Sequence, residues 1–236
     1  LRLKGAKGNA KRADRSTSEG LVAAKDNGNG TATLIELACE TDFVAKGEKF
    51  ITLANRVLEI VAAAGSEDAE SALKVESEGK TVAQIIDEDA AILGEKMQLR
   101  RVRLVKGAEQ EIYLHYTSKD LPPQVGVIVG FEGTDHETAR GIAQHIAFAN
   151  PTYLTREDVP AEDVDRERTL VEEISRNEGK PEAALPKIIE GRLKGFFKQI
   201  VLLEQDYAKD NKFTIEQVAK DAGITVTDYA RFRVGA

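Results

Sequence analysis

Apolar positions along this chain change their period several times, and each change predicts an element. Leu21-Val22-Ala23-Ala24 and Leu34-Ile35-Glu36-Leu37 are β-like runs on either side of Asp26-Asn27-Gly28-Asn29-Gly30, which reads as a hairpin. Phe50, Leu53, Val57 and Val61 then recur at helical spacing until Gly65. That helix should start near Thr41, a good N-cap, with Asp42 in the first turn where the helix dipole favours a carboxylate. Thr81-Val82-Ala83-Gln84 is a capping box opening a second helix, with Ile85, Ile86 and Leu93 on its inner side. Residues 99–105 are the next strand, stopped by Gly107.

The plan then repeats. Glu111-Ile112-Tyr113-Leu114-His115-Tyr116 alternates, and Leu121-Pro122-Pro123 turns. Val125-Gly126-Val127-Ile128-Val129 is an apolar strand, and Thr134-Asp135-His136-Glu137 is a capping box. A helix follows with Ala139, Ile142, Ala143 and Ile146 on one face, closed by Asn150-Pro151. Ala230-Arg231-Phe232-Arg233-Val234 near the C-terminus matches the earlier Arg101-Val102-Arg103-Leu104-Val105. Two related hairpin-plus-helix units are therefore expected.

Between the second unit's helix and its last strand sits an insertion. Val164, Val171 and Ile174 mark one helix, broken at Gly179-Lys180-Pro181. A longer helix is expected next, with Ile189, Leu193, Phe196, Phe197 and Ile200 on one stripe and Pro181 suited to its first position. Thr214-Ile215-Glu216-Gln217 caps a short third helix ending at Gly223. The first two of these read as a projecting antiparallel helical hairpin, their apolar stripe being the seam between them. The fold class is α+β: two related α/β core subdomains with an inserted helical hairpin, a coiled coil.

The first stretch carries Arg2, Lys4, Lys7, Lys11, Arg12 and Arg15 against only Asp14. It reads as a solvated linker or short helix more readily than as a nucleic-acid arm, because the chain as a whole is acidic, at −7. Leu1 in place of methionine leads us to expect an upstream piece removed by processing or trimming. No window offers about 18 uncharged apolar residues, so a helical membrane span is not expected. One cysteine, Cys39, permits neither an internal disulfide nor a cysteine-based zinc cluster, and a cytoplasmic, reducing compartment is the default expectation.

Catalytic patterns fail at identifiable positions. Gly79-Lys80-Thr81 resembles the end of a phosphate loop, but the required upstream glycine is Lys74. Gly28-Asn29-Gly30 meets Thr33 where a dinucleotide fingerprint needs glycine. His136-Glu137-Thr138-Ala139-Arg140 begins like a zinc helix, and Arg140 cannot ligate zinc. No catalytic residue, cofactor or metal site is assigned from the sequence.

Glu40-Thr41-Asp42-Phe43-Val44-Ala45-Lys46 resembles the bacterial elongation factor Ts family. Ser18-Glu19-Gly20-Leu21-Val22, Arg100-Arg101-Val102, Gln124-Val125-Gly126-Val127, the helix containing Ile142-Ala143-Gln144-His145-Ile146-Ala147, Glu190-Gly191-Arg192-Leu193 and Arg231-Phe232-Arg233-Val234-Gly235 follow the same family in order. The resemblance implies nucleotide exchange on the translation GTPase EF-Tu without any bond change. The implied domains are a basic connector at 1–18, a core N-subdomain at 19–107, a core C-subdomain at 108–157 and 223–236, and the inserted hairpin at 158–222. The connector would lead from an N-terminal helical domain like that of family members.

The family also implies roles for residues. Thr41, Asp42, Phe43 and Val44 would enter EF-Tu and disturb its bound magnesium, Phe43 wedging between two helices with Asp42 beside it. Val125, Gly126 and His145 would join the same interface, His145 approaching the nucleotide side. No direct nucleotide binding, membrane or nucleic-acid partner is implied, and the complex is one-to-one or two-to-two. Each residue also has a plainer reading. Phe43 lies seven positions before Phe50, so both could be core; His145 could be a half-buried helix histidine; Asp42 could serve only the helix dipole; and Gly126 could only ease strand packing. The rival functions are an RNA- or ribosome-binding module using Arg100, Arg101 and Arg103, and a small hydrolase with a carboxylate pair.

Overall fold

The computed structural model describes residues 2–236; Leu1 lies outside the described residues. The elements of the first compact unit (residues 2–147 with Ile224–Ala236) run in chain order as follows. Helix α1 (Arg2–Arg12) precedes strands β1 (Glu19–Asp26) and β2 (Thr31–Cys39). Next come the helices α2 (Asp42–Ala45), α3 (Glu48–Ala63) and α4 (Ala69–Leu73). The two-residue strands β3 (Glu76–Ser77) and β4 (Lys80–Thr81) lead into α5 (Val82–Leu93). Strands β5 (Gln98–Lys106), β6 (Glu109–His115) and β7 (Val125–Glu132) precede α6 (His136–Ala149), and β10 (Thr225–Arg233) closes the chain.

Two three-stranded antiparallel sheets, in the orders β1-β2-β5 and β10-β7-β6, share a dry interface. Val22, Leu34 and Val105 from the first sheet meet Ile128, Ala230 and Phe232 from the second. The alternate residues Leu21, Ile35 and Leu37 point the other way, onto Phe50, Leu53, Val57 and Val61 of α3 and Ile85 and Ile86 of α5. β2 is thus buried on both faces, which explains its nearly continuous apolar sequence. It also buries Glu36 completely. That carboxylate accepts from Arg101 Nε at 2.7 Å and from the Gly235 backbone N–H at 3.1 Å, so a buried charge is paired and hydrogen-bonded and ties down the C-terminal strand.

α6 lies on the outer face of the second sheet. At its start, His136 places Nδ1 2.8 Å from Glu111 and Nε2 3.3 Å from Glu109, both on the edge strand β6, while Arg140 stacks over Tyr113. At its end, Arg231 Nε of β10 donates to the Ala147 carbonyl. A neutral imidazole has one N–H, so only the doubly protonated ring satisfies both carboxylates. Hydrogen bonding to Glu111, and then to Glu109, raises the His136 pKa above the ordinary 6.5. A pKa raised on folding adds stability that is fully present below 6.5 and is lost as pH rises through the higher folded value. An NMR titration of the His136 ring should therefore show a midpoint above 6.5, and amide protection at the start of α6, taken relative to base-catalysed intrinsic exchange, should fall across that midpoint in the native chain but not in His136→Gln.

The second compact unit, Phe148–Gly223, holds α7 (Ala161–Asn177), α8 (Leu185–Ile200), the strand pair β8 (Asp206–Tyr207) and β9 (Asp210–Thr214), and α9 (Ile215–Asp221). Val164 and Val171 of α7 pack on Ile189, Leu193, Phe196 and Phe197 of α8, the expected antiparallel seam. Arg192 binds Ser175 Oγ and Glu178 near the turn between them.

Several local expectations are corrected. α8 has 16 residues against 17 in α7, so it is not the longer helix. Pro181 precedes a single 3₁₀ turn, Glu182–Ala184, and it is Pro186 that sits in the first turn of α8. The cap of α6 is Asp135, not Thr134: its carboxylate accepts the Thr138 N–H at 2.9 Å, three residues into the helix. Gly79, which the sequence already excludes from a phosphate cradle, is a turn residue. Glu78 and Gly79 both have positive φ, as a two-residue hairpin between β3 and β4 demands.

Candidate functional site

The site begins where β2 runs out. Cys39 is the last strand residue, and Thr41 caps α2, accepting the Val44 N–H at 3.3 Å. Only Ala45 of α2 is buried and Val44 is half-buried against the first core, so this single turn has little packing of its own. Gly47 separates it from α3, whose Phe50 is fully buried. The extended backbone at Gly47 interrupts the helix between Phe43 and Phe50, and the shared face that the seven-residue spacing suggests is lost. Phe43 is 75% exposed, with Lys46 Nζ 5.8 Å from its ring centroid, and Asp42 is exposed beside it.

This corner is braced from the connection between α5 and β5. Gly94, in the left-handed region at φ 73°, ends α5 and turns the chain so that Glu95 faces Thr41. Glu95 Oε2 accepts the backbone N–H groups of Glu40 at 3.0 Å and Thr41 at 3.1 Å, and its Oε1 accepts the Thr41 hydroxyl. In return, Glu40 Oε2 accepts the Lys96 N–H at 2.6 Å. Burial, reinforced by the Glu95 charge, pushes the Cys39 thiol up to about 12, so it stays protonated and donates to the Thr41 carbonyl. A shallow groove lined by Glu48, Lys49, Thr52, Asp89, Ile92 and Leu93 opens alongside the first turns of α3, with Ile92 69% exposed.

Thr41, Asp42, Phe43 and Val44 are thus one continuous surface feature. Val125, Gly126 and His145 belong elsewhere. Val125 and Gly126 are buried within β7, and a Cβ on Gly126 would come within 3.0–3.3 Å of Leu34, Val22 and Leu114. His145 lies in α6 and is 3% exposed, deeper than the half-buried position its helical angle suggests. The residue that sequence reasoning passes over is Glu95; Glu40 opens the quoted motif but receives no role there. Gly94 as a helix stop is a readable signal, but which backbone groups the following carboxylate would meet is a tertiary fact.

The arginines of the RNA reading are largely engaged. Arg101 is held by Glu36 and the Arg233 carbonyl, Arg103 by Asp228, and Arg100 by the Thr17 carbonyl and Glu36. Among the described residues no group of three His, Cys, Asp or Glu is placed to hold a metal ion, and no helix is long and apolar enough to cross a membrane. What the corner offers is an unseated aromatic ring on a braced turn, rimmed by charge, which is the anatomy of an interface anchor.

Comparison with known proteins bears on the chain as a whole rather than on the corner. The family model described as elongation factor TS matches residues 40–236. The protein named elongation factor Ts from Leifsonia xyli subsp. xyli is 71% identical over all of this chain and 86% of its own length. Its namesake from Clavibacter sepedonicus is 69% identical with the same coverage. That of Micrococcus luteus is 55% identical over 100% of this chain and 85% of its own length.

Proposed function

The chain belongs to the elongation factor Ts family, and from that membership we propose that it is a guanine-nucleotide exchange factor for the translation GTPase EF-Tu in the cytoplasm. It acts by protein–protein binding and makes or breaks no covalent bond. The observation that carries this reading is the exposure of Phe43 on a short turn whose backbone is held from outside. A buried aromatic anchor contributes about 2 kcal/mol or more to an interface. If the anchored geometry fits the nucleotide-free GTPase better than the GDP-bound one, the difference appears as weakened GDP binding. The coupling is reciprocal, so incoming nucleotide weakens the exchange factor's own hold and releases it.

In this reading Asp42 and Phe43 act at the partner's magnesium and nucleotide pocket, while Thr41 and Val44 fix the turn. Val125 and Gly126 set the second sheet, and His145 contributes from α6. We also read residues 19–107 and 108–157 with 223–236 as two related halves, with 158–222 as an inserted hairpin. The test is stopped-flow release of a fluorescent GDP from EF-Tu. Saturating chain should accelerate release well above the spontaneous rate, and an unchanged rate would overturn the proposal. His145→Ala, at a buried position, should reduce the accelerated rate less than Phe43→Ala; equal or greater loss would contradict the ranking.

A further inference from the structure

A turn of four residues with one buried side chain does not hold a direction in solution by itself, because helix nucleation is unfavourable and its packing is slight. Something else must aim Phe43. The contacts at the root of the turn identify it: two adjacent backbone N–H groups and one hydroxyl converge on a single carboxylate, that of Glu95, from a segment 54 to 55 positions away in sequence.

We infer that Glu95 is a positioning residue, whose carboxylate locks the Glu40–Thr41 backbone and so points Phe43 outward for exchange. This rests on the exchange reading proposed above. Three features support it. Glu95 bonds to Glu40 and Thr41 at the root of the turn rather than to Asp42 or Phe43, so its action on the ring is through the backbone. Its bonds fall on the peptide N–H groups that immediately precede α2, where a small rotation swings the ring two residues further on. The brace is also reciprocal, since Glu40 Oε2 reaches back to the Lys96 N–H, so the two segments are fastened at two points and a hinge about either one is blocked. The lever matters because misplacing a reacting or wedging group by about 1 Å can cost on the order of a hundredfold in rate.

The experiment compares Glu95→Ala and Glu95→Gln in the full chain by two readouts. Glutamine keeps a carbonyl oxygen able to accept both backbone N–H groups, whereas alanine keeps none. In stopped-flow GDP release from EF-Tu, Glu95→Ala should lower the saturating rate about tenfold, within the range expected for a misaimed group. The half-saturating concentration should change much less, and Glu95→Gln should keep most of the native rate. In amide hydrogen exchange of the free chain, the N–H groups of Glu40 and Thr41 should lose protection in Glu95→Ala and keep it in Glu95→Gln, with the core strands unaffected. A native saturating rate in Glu95→Ala, or equal loss in both variants, would overturn the inference. Unchanged protection at Glu40 and Thr41 in the alanine variant would overturn it without reference to any partner. If Phe43→Ala also left GDP release untouched, the failure would lie with the exchange reading, while the amide-exchange readout would still judge the brace.

Discussion

Phe43→Ala should slow chain-stimulated release of GDP from EF-Tu at least about tenfold while leaving the melting temperature nearly unchanged. Both halves follow from one number. With three-quarters of its surface in solvent, Phe43 contributes little to folding, and its truncation belongs with the near-neutral surface substitutions. The same exposure leaves its apolar area to be buried in an interface, where aromatic anchors commonly cost 2 kcal/mol or more when removed, roughly a thirtyfold change in an equilibrium. Measuring release rate and thermal melting on the same preparation separates the alternatives. A fall of many degrees would mark Phe43 as core; an unchanged rate would remove it from the site.

The second large effect falls on stability. Gly130 in β7 and Gly107, between β5 and β6, face each other where the chain passes from the first sheet to the second. A Cβ on Gly130 would stand 2.5 Å from the Lys106 carbonyl oxygen, and one on Gly107 would stand 2.7–2.8 Å from Phe131 N and from Gly130 itself. These obstacles are backbone atoms and cannot rotate away. Gly130→Ala should therefore force the sheets apart and cost about 2 to 3 kcal/mol. For a chain of this length that corresponds to a fall in melting temperature of roughly 5 to 10 °C by calorimetry or circular dichroism. A melting temperature within about 1 °C of the native value would show that the sheets are not held at this spacing.

How much of this was legible beforehand differs by element. The hairpin around Gly28 and the capping boxes at Thr81 and Thr214 could be read because their physics lies within a few residues, and the seam of the α7–α8 pair because each helix carries its own periodic apolar stripe. The interior of β2 could be read only in part. An apolar run predicts burial, but the fully buried Glu36 depends on Arg101, 65 residues away, and on the chain end at Gly235. Phe43 shows the limit most clearly. Its spacing to Phe50 is helical, yet Gly47 restarts the helix, so periodicity across that point carries no information about facing. There periodicity misled, since it places in the core a ring that stands exposed in the first turn of α2. Glu95 lay beyond both kinds of reading, since nothing local tells a carboxylate after a helix stop which peptide groups it will bind.

The direct test of the wedge is a photocrosslink from the ring position itself. With p-benzoylphenylalanine at position 43 and EF-Tu in its nucleotide-free form, irradiation should join the two proteins, and mass spectrometry should place the bond on EF-Tu residues around the magnesium and nucleotide pocket. Adding excess GDP before irradiation should suppress the product. A crosslink confined to this chain, or one on EF-Tu that lies far from the nucleotide and is indifferent to GDP, would contradict the account.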